Sequence, residues 1–207
     1  MQNVVFVHGW GYNPNVWRAV TAQMHDIKPL YIDLGFITGS RGAIIETVPE
    51  DSIVVGHSLG VMWLLKQKKK YKGFVSIGGF DCFHAHVPQQ DIMAMQKHLE
   101  RNPYAQLHGF WEACGARSFC PPSEVNVDKL KEGLEWLATW DARKELAALK
   151  CPLMALATED DPIIRRDISA KIWKKKDLRV LETGSHAMPL TVPAWCARQI
   201  EDFAKSL

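Results

Sequence analysis

Residues 53–60 read Ile53-Val54-Val55-Gly56-His57-Ser58-Leu59-Gly60 and contain the main signal of the architecture. The first residues are a short apolar run typical of a strand buried on both faces, and a helical pattern follows from Leu59 to about residue 70. Between them lies the pattern G-x-S-x-G, which reverses the chain sharply and lifts the serine hydroxyl above the sheet edge. Glycine at the two flanking positions avoids collisions with neighbouring main chain, and we expect strained backbone at Ser58. Ser58 is therefore the candidate nucleophile.

Short apolar runs alternate with helical patterns on both sides of this motif. Further strands are predicted over residues 4–7, 30–32, 73–77, 153–157 and 178–181, and further helices over 15–24, 43–48, 167–175 and 193–204. Between 81 and 140 only helices are predicted, over 91–100, 105–114 and 127–139, with breaks at Asn102-Pro103 and Pro121-Pro122. The pattern predicts a mostly parallel, doubly wound α/β sheet. We divide the chain into an α/β core (1–80 and 145–207) and a helical cap insertion (81–144).

The candidate base and acid follow two other strands. A serine hydroxyl needs a base to remove its proton, and His186 follows the last predicted strand in the loop Gly184-Ser185-His186. The carboxyl ends of parallel strands gather at one sheet edge, so His186 is expected near Ser58. The acid that orients His186 should follow another strand, and Glu159-Asp160-Asp161 follows the strand at 153–157. Asp161 is preferred because a proline and two isoleucines come after it, and Asp160 is the alternative.

The oxyanion that forms during acyl transfer needs hydrogen-bond donors. One candidate is the backbone N–H of Leu59, which comes directly after the nucleophile at the start of a helix. The other is the backbone N–H of Trp10, in the loop His8-Gly9-Trp10-Gly11 that follows the first strand. We interpret His8 and His57 as structural residues of their loops.

Composition narrows the class of protein. The 207 residues carry a net charge of +2, which gives no electrostatic reason to expect nucleic acid as a partner. Five cysteines without a C-x-x-C pair argue against a disulfide framework or a zinc site, so no metal is expected. Neither a signal peptide nor a membrane-length apolar segment is recognisable. We therefore expect a soluble, monomeric, cytoplasmic protein. Lysines cluster at residues 66–72 and 171–176, and these clusters are either solvated helix ends or a docking patch for an acidic partner.

The motifs together resemble those of the α/β-hydrolase family, and the resemblance covers nearly the whole chain. Within that family, the sequence is most similar to the pimeloyl-acyl-carrier-protein methyl ester esterases of biotin synthesis. The features that carry this similarity are His8-Gly9-Trp10-Gly11 followed by Trp17, Cys82-Phe83, and Gly133-Leu134-Glu135 followed by Asp141-Ala142-Arg143. The sequence departs from the family in lacking an N-terminal hairpin, in its short segment between residues 33 and 52, and in having Val61 where a second glycine is frequent.

The resemblance implies a serine carboxylesterase that needs no cofactor, forms an acyl-enzyme on Ser58 and cleaves the methyl ester of pimeloyl-acyl carrier protein. The insertion would line the acyl channel, with candidates Phe80, Phe83, Met93, Met95, Phe110, Trp111 and Trp136. Acyl carrier protein is acidic, and the basic residues that could meet it are Lys97, Arg101 and Arg117. The alternatives are a general carboxylesterase or thioesterase acting on short or medium acyl esters, and a binding protein that keeps the hydrolase fold without turnover.

Overall fold

One parallel sheet forms the centre of the molecule. The computed structural model describes residues 2–117, 119 and 124–207, so the predicted break at Pro121-Pro122 and the thiol of Cys120 lie outside the described residues. The strands of the described part are β1 (Gln2–Val7), β2 (Ile27–Ile32), β3 (Ile53–His57), β4 (Gly73–Ile77), β5 (Leu153–Thr158) and β6 (Asp177–Leu181). They lie in the order β2-β1-β3-β4-β5-β6, and neighbouring strands pair in parallel. The predicted fold class, a parallel doubly wound α/β sheet, is confirmed.

Helices follow the strands and cover the sheet. Their bounds are α1 (Arg18–Thr21), α2 (Leu59–Lys66), α3 (Gln89–Arg101), α4 (Pro103–Ala113), α5 (Val127–Thr139), α6 (Arg143–Ala148), α7 (Arg166–Ile172), α8 (Met188–Thr191) and α9 (Pro193–Lys205), with 3₁₀ turns at Pro14–Trp17 and Phe83–Ala85. All residues of β3, β4 and β5 are buried, as expected for central strands with both faces covered. Helix α1 contacts α8 and α9, and α2 contacts α6.

The helices between β4 and β5 lie against the loops at the carboxyl edge of the sheet. The indole N–H of Trp10, in the loop after β1, donates to the carbonyl of Leu130 in α5 at 2.8 Å. In the opposite direction, the indole N–H of Trp111 in α4 donates to the carbonyl of Gly11 at 2.8 Å. These buried bonds attach α4 and α5 to the same loop. The boundary that the sequence places between residues 144 and 145 lies within α6.

The helix predicted over residues 43–48 is wrong. The N–H of Tyr31 in the edge strand β2 donates to Ala43 at 3.0 Å, and the N–H of Ile45 donates back to Tyr31 at 2.9 Å. The segment therefore forms a parallel bridge beside β2, because pairing with an open strand edge satisfies its backbone without a helix. The helix after β3 also ends earlier than predicted, at Lys66, and Lys68 turns into a left-handed conformation with φ of 54°. Helices α6 and α8 were not predicted.

Candidate active site

Ser58 stands at the turn between β3 and α2. Its backbone has φ of 53° and ψ of −123°, a region that costs a residue with a Cβ about 1–3 kcal/mol. The turn is fixed on both sides, because Ser58 donates its N–H to Ile77 and accepts the N–H of Val61, each at 3.0 Å. A Cβ at Gly56 would lie 2.7 Å from the backbone nitrogen of Val61, and one at Gly60 would lie 2.7 Å from the carbonyl oxygen of His8. The predicted reason for both glycines, close approach of main chain, agrees with these distances.

A chain of hydrogen bonds joins Ser58, His186 and Asp161. The His186 Nε2 atom lies 2.9 Å from the Ser58 Oγ atom, and its Nδ1 atom lies 2.8 Å from Asp161 Oδ2. Since a carboxylate only accepts, Nδ1 carries the proton and Nε2 is left to accept the hydroxyl proton of Ser58. The His186 and Asp161 side chains are 0% and 1% exposed, so the bonds form away from water. The structure thus places together the three residues that the sequence selected.

Asp161 and its neighbour Asp160 make different contacts. The second oxygen of Asp161 accepts the backbone N–H groups of Ile163 and Ile164, at 2.8 and 2.9 Å, which fixes the carboxylate. Asp160 instead accepts the N–H groups of Gly184 and Ser185, at 3.0 and 2.8 Å. Burial raises the pKa of Asp160, but these N–H donors outweigh it and hold the pKa below its ordinary value. Asp160 therefore holds the loop that carries His186, and Asp161 contacts the imidazole itself.

Leu59 and Trp10, whose backbone N–H groups are the predicted oxyanion donors, lie next to Ser58 in the chain and in the adjoining loop after β1. Leu59 is the first residue of α2, so its N–H has no partner within the helix. Trp10 lies in the loop after β1, which packs so closely on the nucleophile that a Cβ at Gly9 would be 2.9 Å from the Ser58 Cβ. Neither N–H, of Leu59 or of Trp10, donates to another residue in the described part of the chain. Both are available to a developing oxyanion.

His8 and His57 have structural contacts, as the sequence analysis expected. His8 Nε2 lies 2.9 Å from the backbone nitrogen of Leu34 and 3.3 Å from Asp33 Oδ1, and its Nδ1 atom lies 2.9 Å from the carbonyl oxygen of Gly9, so the imidazole joins the loops after β1 and β2. His57 donates from Nε2 to the carbonyl oxygen of His186 at 3.1 Å. Burial is the main cause that lowers the pKa of His57 from 6.5 to about 3. His57 is therefore neutral at physiological pH and ties β3 to the His186 loop.

A cavity of about 200 Å³ opens onto Ser58. It is lined by Trp10 and Ser58 from the core loops and by side chains of the helices between β4 and β5, among them three predicted channel residues, Phe83, Met95 and Phe110. The remaining lining residues, which the sequence analysis did not select, are Val87, Asp91, Ile92, Leu137, Pro162 and Ile163. Pro162 and Ile163 were detectable in principle, because they follow Asp161 directly. The others depend on how α3 and α5 lie over the sheet.

Four other predicted channel residues lie away from this cavity. Phe80 is fully buried and packs against Phe83 with ring centroids 4.9 Å apart. Trp111 is 4% exposed and is held by its bond to the loop after β1. Met93 faces outward on α3 and is 49% exposed. Trp136 stacks on Trp140, with ring centroids 4.6 Å apart and planes 14° apart. An aromatic or methionine side chain in the insertion is not enough to predict contact with substrate, because the helices need apolar residues for their own packing.

The three predicted docking cations are exposed but do not form one group. Lys97 and Arg101 share the outer side of α3 and line a groove of about 220 Å³. Arg101 also lines a second groove of about 330 Å³, which reaches Phe110. Because Phe110 also lines the cavity over Ser58, this basic groove and the cavity share one aromatic wall. Arg117 is exposed beyond α4 and lines neither groove.

Two further features of the described residues bear on the class of protein. They contain no group of three or more histidine, cysteine, aspartate or glutamate side chains placed to hold a metal ion. Across the same residues, every helix is too short or too polar to cross a membrane.

The comparisons with known proteins agree with the fold. A sequence model of the alpha/beta hydrolase family matches residues 4–199. An esterase from Exiguobacterium antarcticum superposes with a TM-score of 0.81 at 14% identity, over 99% of this chain and 92% of that one. A bromoperoxidase from Bacillus anthracis superposes with a TM-score of 0.82 at 15% identity, over 99% of this chain and 92% of that one. A lipase-esterase related protein from Clostridium acetobutylicum superposes with a TM-score of 0.77 at 18% identity, over 98% of this chain and 94% of that one. Since the family model spans the sheet from β1 into α9, the chain belongs to the alpha/beta hydrolase family.

Proposed function

We propose that this protein is a serine carboxylesterase and that its substrate is the methyl ester of a pimeloyl chain carried on acyl carrier protein. The observation that carries the esterase assignment is the buried chain of hydrogen bonds from Asp161 through His186 to Ser58. A hydroxyl bonded to an unprotonated imidazole nitrogen is prepared to lose its proton as it attacks. The two N–H groups beside Ser58 supply the other requirement of acyl transfer, which is a site for negative charge on oxygen.

The first half of the reaction forms the acyl-enzyme. The Ser58 oxygen attacks the ester carbonyl carbon while its proton moves to His186 Nε2, and the carbonyl electron pair moves to oxygen. The resulting oxyanion accepts hydrogen bonds from the N–H groups of Trp10 and Leu59. The carbonyl then re-forms, the bond to the methoxy oxygen breaks, and His186 returns the proton so that methanol leaves. Asp161 stays ionised and stabilises the imidazolium in both steps.

The second half hydrolyses the acyl-enzyme. A water molecule gives its proton to His186 Nε2 and attacks the acyl carbon, and the same two N–H groups stabilise the second oxyanion. The bond to the Ser58 oxygen then breaks, His186 protonates that oxygen, and the free carboxylate is the product. No other residue has to gain or lose a proton in this cycle, which agrees with the burial of the hydrogen-bonded chain.

The carrier-borne substrate is supported by the surface next to the cavity. The cavity walls Phe83, Met95 and Phe110 suit an apolar acyl chain, and the groove on the far side of Phe110 contains Arg101. An acidic carrier that docks on α3 and α4 would meet Arg101 and Lys97 while its acyl chain enters the cavity. The sequence features shared with the pimeloyl esterases support the same assignment.

The small volume of the cavity favours a second candidate, a general esterase of short acyl chains. About 200 Å³ lies below the ~300–1,000 Å³ that is usual for drug-sized ligands. In that case the catalytic residues are the same, and the basic groove has no part in turnover. The two candidates therefore differ in whether the cations on α3 affect the reaction.

The test compares one carrier-bound and one small ester. Hydrolysis of pimeloyl-acyl carrier protein methyl ester and of 4-nitrophenyl butyrate is measured for the wild type and for Ser58→Ala, Arg101→Glu and Lys205→Glu. Lys205 is an exposed control on α9, beside the amino ends of β1 and β2 and so at the sheet edge opposite to Ser58. The proposal predicts that Arg101→Glu raises the KM for the carrier substrate by about tenfold, the effect of about 1.4 kcal/mol of lost charge complementarity.

The controls separate the two candidates. Arg101→Glu should leave the butyrate ester unaffected, Lys205→Glu should change neither substrate, and Ser58→Ala should lose both activities. Ser58-dependent cleavage of the butyrate ester with no cleavage of the carrier ester would select the general esterase. Activity that survives in Ser58→Ala would refute both.

A further inference from the structure

The cavity over Ser58 contains one carboxylate in an otherwise apolar wall. Asp91 is the only charged side chain among the described residues that line it. It lies in the first turn of α3 and is exposed to solvent, one residue before the buried Ile92, which lines the same cavity. Asp91 therefore lies at the rim, where a group entering the cavity passes close to its charge.

No described cation neutralises this carboxylate. Asp91 forms neither an ion pair nor a side-chain hydrogen bond within the described part of the chain. Two arginines follow the lining residues Pro162 and Ile163 in the sequence, and both form other ion pairs. Arg165 pairs with Asp167 and Arg166 pairs with Glu159, each at 3.0 Å. On α3 itself, the nearest cation is Lys97, six residues and about 9 Å along the helix axis from Asp91, and it forms no ion pair with it. Among the described residues, the carboxylate at the rim therefore has no ion-pair partner.

Resting on the proposed function, we propose that Asp91 selects substrates by charge, so that the cavity accepts neutral acyl esters and rejects acyl chains that carry a free carboxylate. A second carboxylate that enters the cavity leaves water for an apolar wall, and it is also repelled by Asp91, although water at the rim screens part of that repulsion. A dicarboxylic chain then binds when its distal group is esterified or attached to a carrier through a neutral link.

The same charge acts on the product. Hydrolysis converts a neutral ester into a carboxylate inside the cavity, and Asp91 repels that carboxylate as it forms. Inhibition by the free acid is therefore expected to be weak in the wild type and stronger when the charge of Asp91 is removed.

A pair of matched esters tests the proposal. Mono-4-nitrophenyl pimelate carries a distal carboxylate, and methyl 4-nitrophenyl pimelate has the same chain with that group neutral. The ratio of kcat/KM for the neutral over the anionic ester is measured for the wild type, Asp91→Asn and Asp128→Asn. Asp128 is an exposed aspartate in the first turn of α5 and does not line the cavity, so it controls for loss of a charge at a helix start.

The expected result is a ratio that falls by about three- to tenfold in Asp91→Asn, the size expected for one partly screened charge pair, and stays unchanged in Asp128→Asn. In the wild type, 1 M salt should lower the ratio, and heptanoate should inhibit Asp91→Asn more strongly than the wild type. An unchanged ratio in Asp91→Asn would overturn this inference. Ser58→Ala, measured in parallel, would refute the proposed function instead if it kept the activity.

Discussion

The buried imidazole of His57 makes the stability of this fold depend on pH. Its side chain has no exposed surface, and its Nε2–H donates to the carbonyl oxygen of His186. Burial is the main reason why the pKa of His57 falls from 6.5 to about 3 in the folded state. The unfolded chain therefore takes up a proton near pH 6.5 that the folded chain does not take up, so stability is complete above this pH and declines as the pH falls towards about 3.

The magnitude follows from the difference in pKa. Each pH unit below 6.5 removes up to about 1.4 kcal/mol from the free energy of unfolding. Between pH 7 and pH 5 the unfolded histidine goes from mostly neutral to mostly charged, which gives a loss of about 2 kcal/mol. This is a large part of the ~5–15 kcal/mol that stabilises a typical domain. The carboxylates with lowered pKa, such as Asp160, add to the loss only below about pH 5.

Urea unfolding at pH 7, 6 and 5 measures this effect. His57→Phe and His57→Gln remove the titrating group. Between pH 7 and pH 5, the wild type should therefore lose about 2 kcal/mol more of its free energy of unfolding than either variant loses. Two variants are used because Gln keeps a donor and Phe keeps a ring. His108→Gln, an exposed histidine on α4, is the control and should follow the wild type. If the wild type and both His57 variants lose the same free energy over this range, the reasoning is refuted.

Three further predictions concern the turn at the nucleophile and the two aspartates. Gly60→Ala should lower the free energy of unfolding by about 1–3 kcal/mol, because its Cβ would lie 2.7 Å from the carbonyl oxygen of His8 and closer still to that of Val7 at the end of β1. Gly109→Ala, with open space around it inside α4, should raise the free energy of unfolding by about 0.5–1 kcal/mol. Thermal unfolding of the two variants measures the difference, and equal changes would contradict the prediction. Ser58→Gly should be more stable than Ser58→Ala by about 1–3 kcal/mol, because glycine adopts the positive φ without strain, and both should be inactive; equal melting temperatures would contradict the strain. Asp161→Asn should lower kcat for ester hydrolysis by about 10⁴-fold, because the imidazole of His186 loses its orientation. Asp160→Asn should lower kcat by less than about tenfold, because Asp160 contacts only N–H groups of the His186 loop. Equal losses of kcat would show that the two aspartates do not have separate roles.

The parts of this molecule that the sequence predicts are those set by short-range chemistry. The strand, turn and helix around Ser58 are found because only glycines fit against the neighbouring main chain there. His186 and Asp161 are found because the carboxyl ends of parallel strands meet at one edge, so two residues 25 positions apart can be expected to touch. The sequence favours Asp161 over Asp160 because of the proline and isoleucines that follow it, and the contacts in the structure distinguish the two: Asp161 contacts His186, whereas Asp160 accepts the N–H groups of Gly184 and Ser185.

The parts that the sequence misses depend on packing between distant segments. Residues 43–48 carry a pattern compatible with a helix, but the open edge of β2 offers backbone partners that local propensity does not reveal. In the insertion, Phe80 and Trp111 have the same chemistry as Phe83 and Phe110, and only the docking of helices on the sheet decides which pair faces the cavity. The rim carboxylate of Asp91 was missed for the same reason.

We propose that Ser58 is the nucleophile of this protein and that His186 activates it. Covalent labelling distinguishes these roles: the wild type, Ser58→Ala and His186→Ala are treated with a fluorophosphonate, and the adducts are located by mass spectrometry and peptide mapping. We predict one adduct, on Ser58, in the wild type, none in Ser58→Ala, and slow labelling in His186→Ala. An adduct on another residue, or equal labelling of Ser58 with and without His186, would contradict the account.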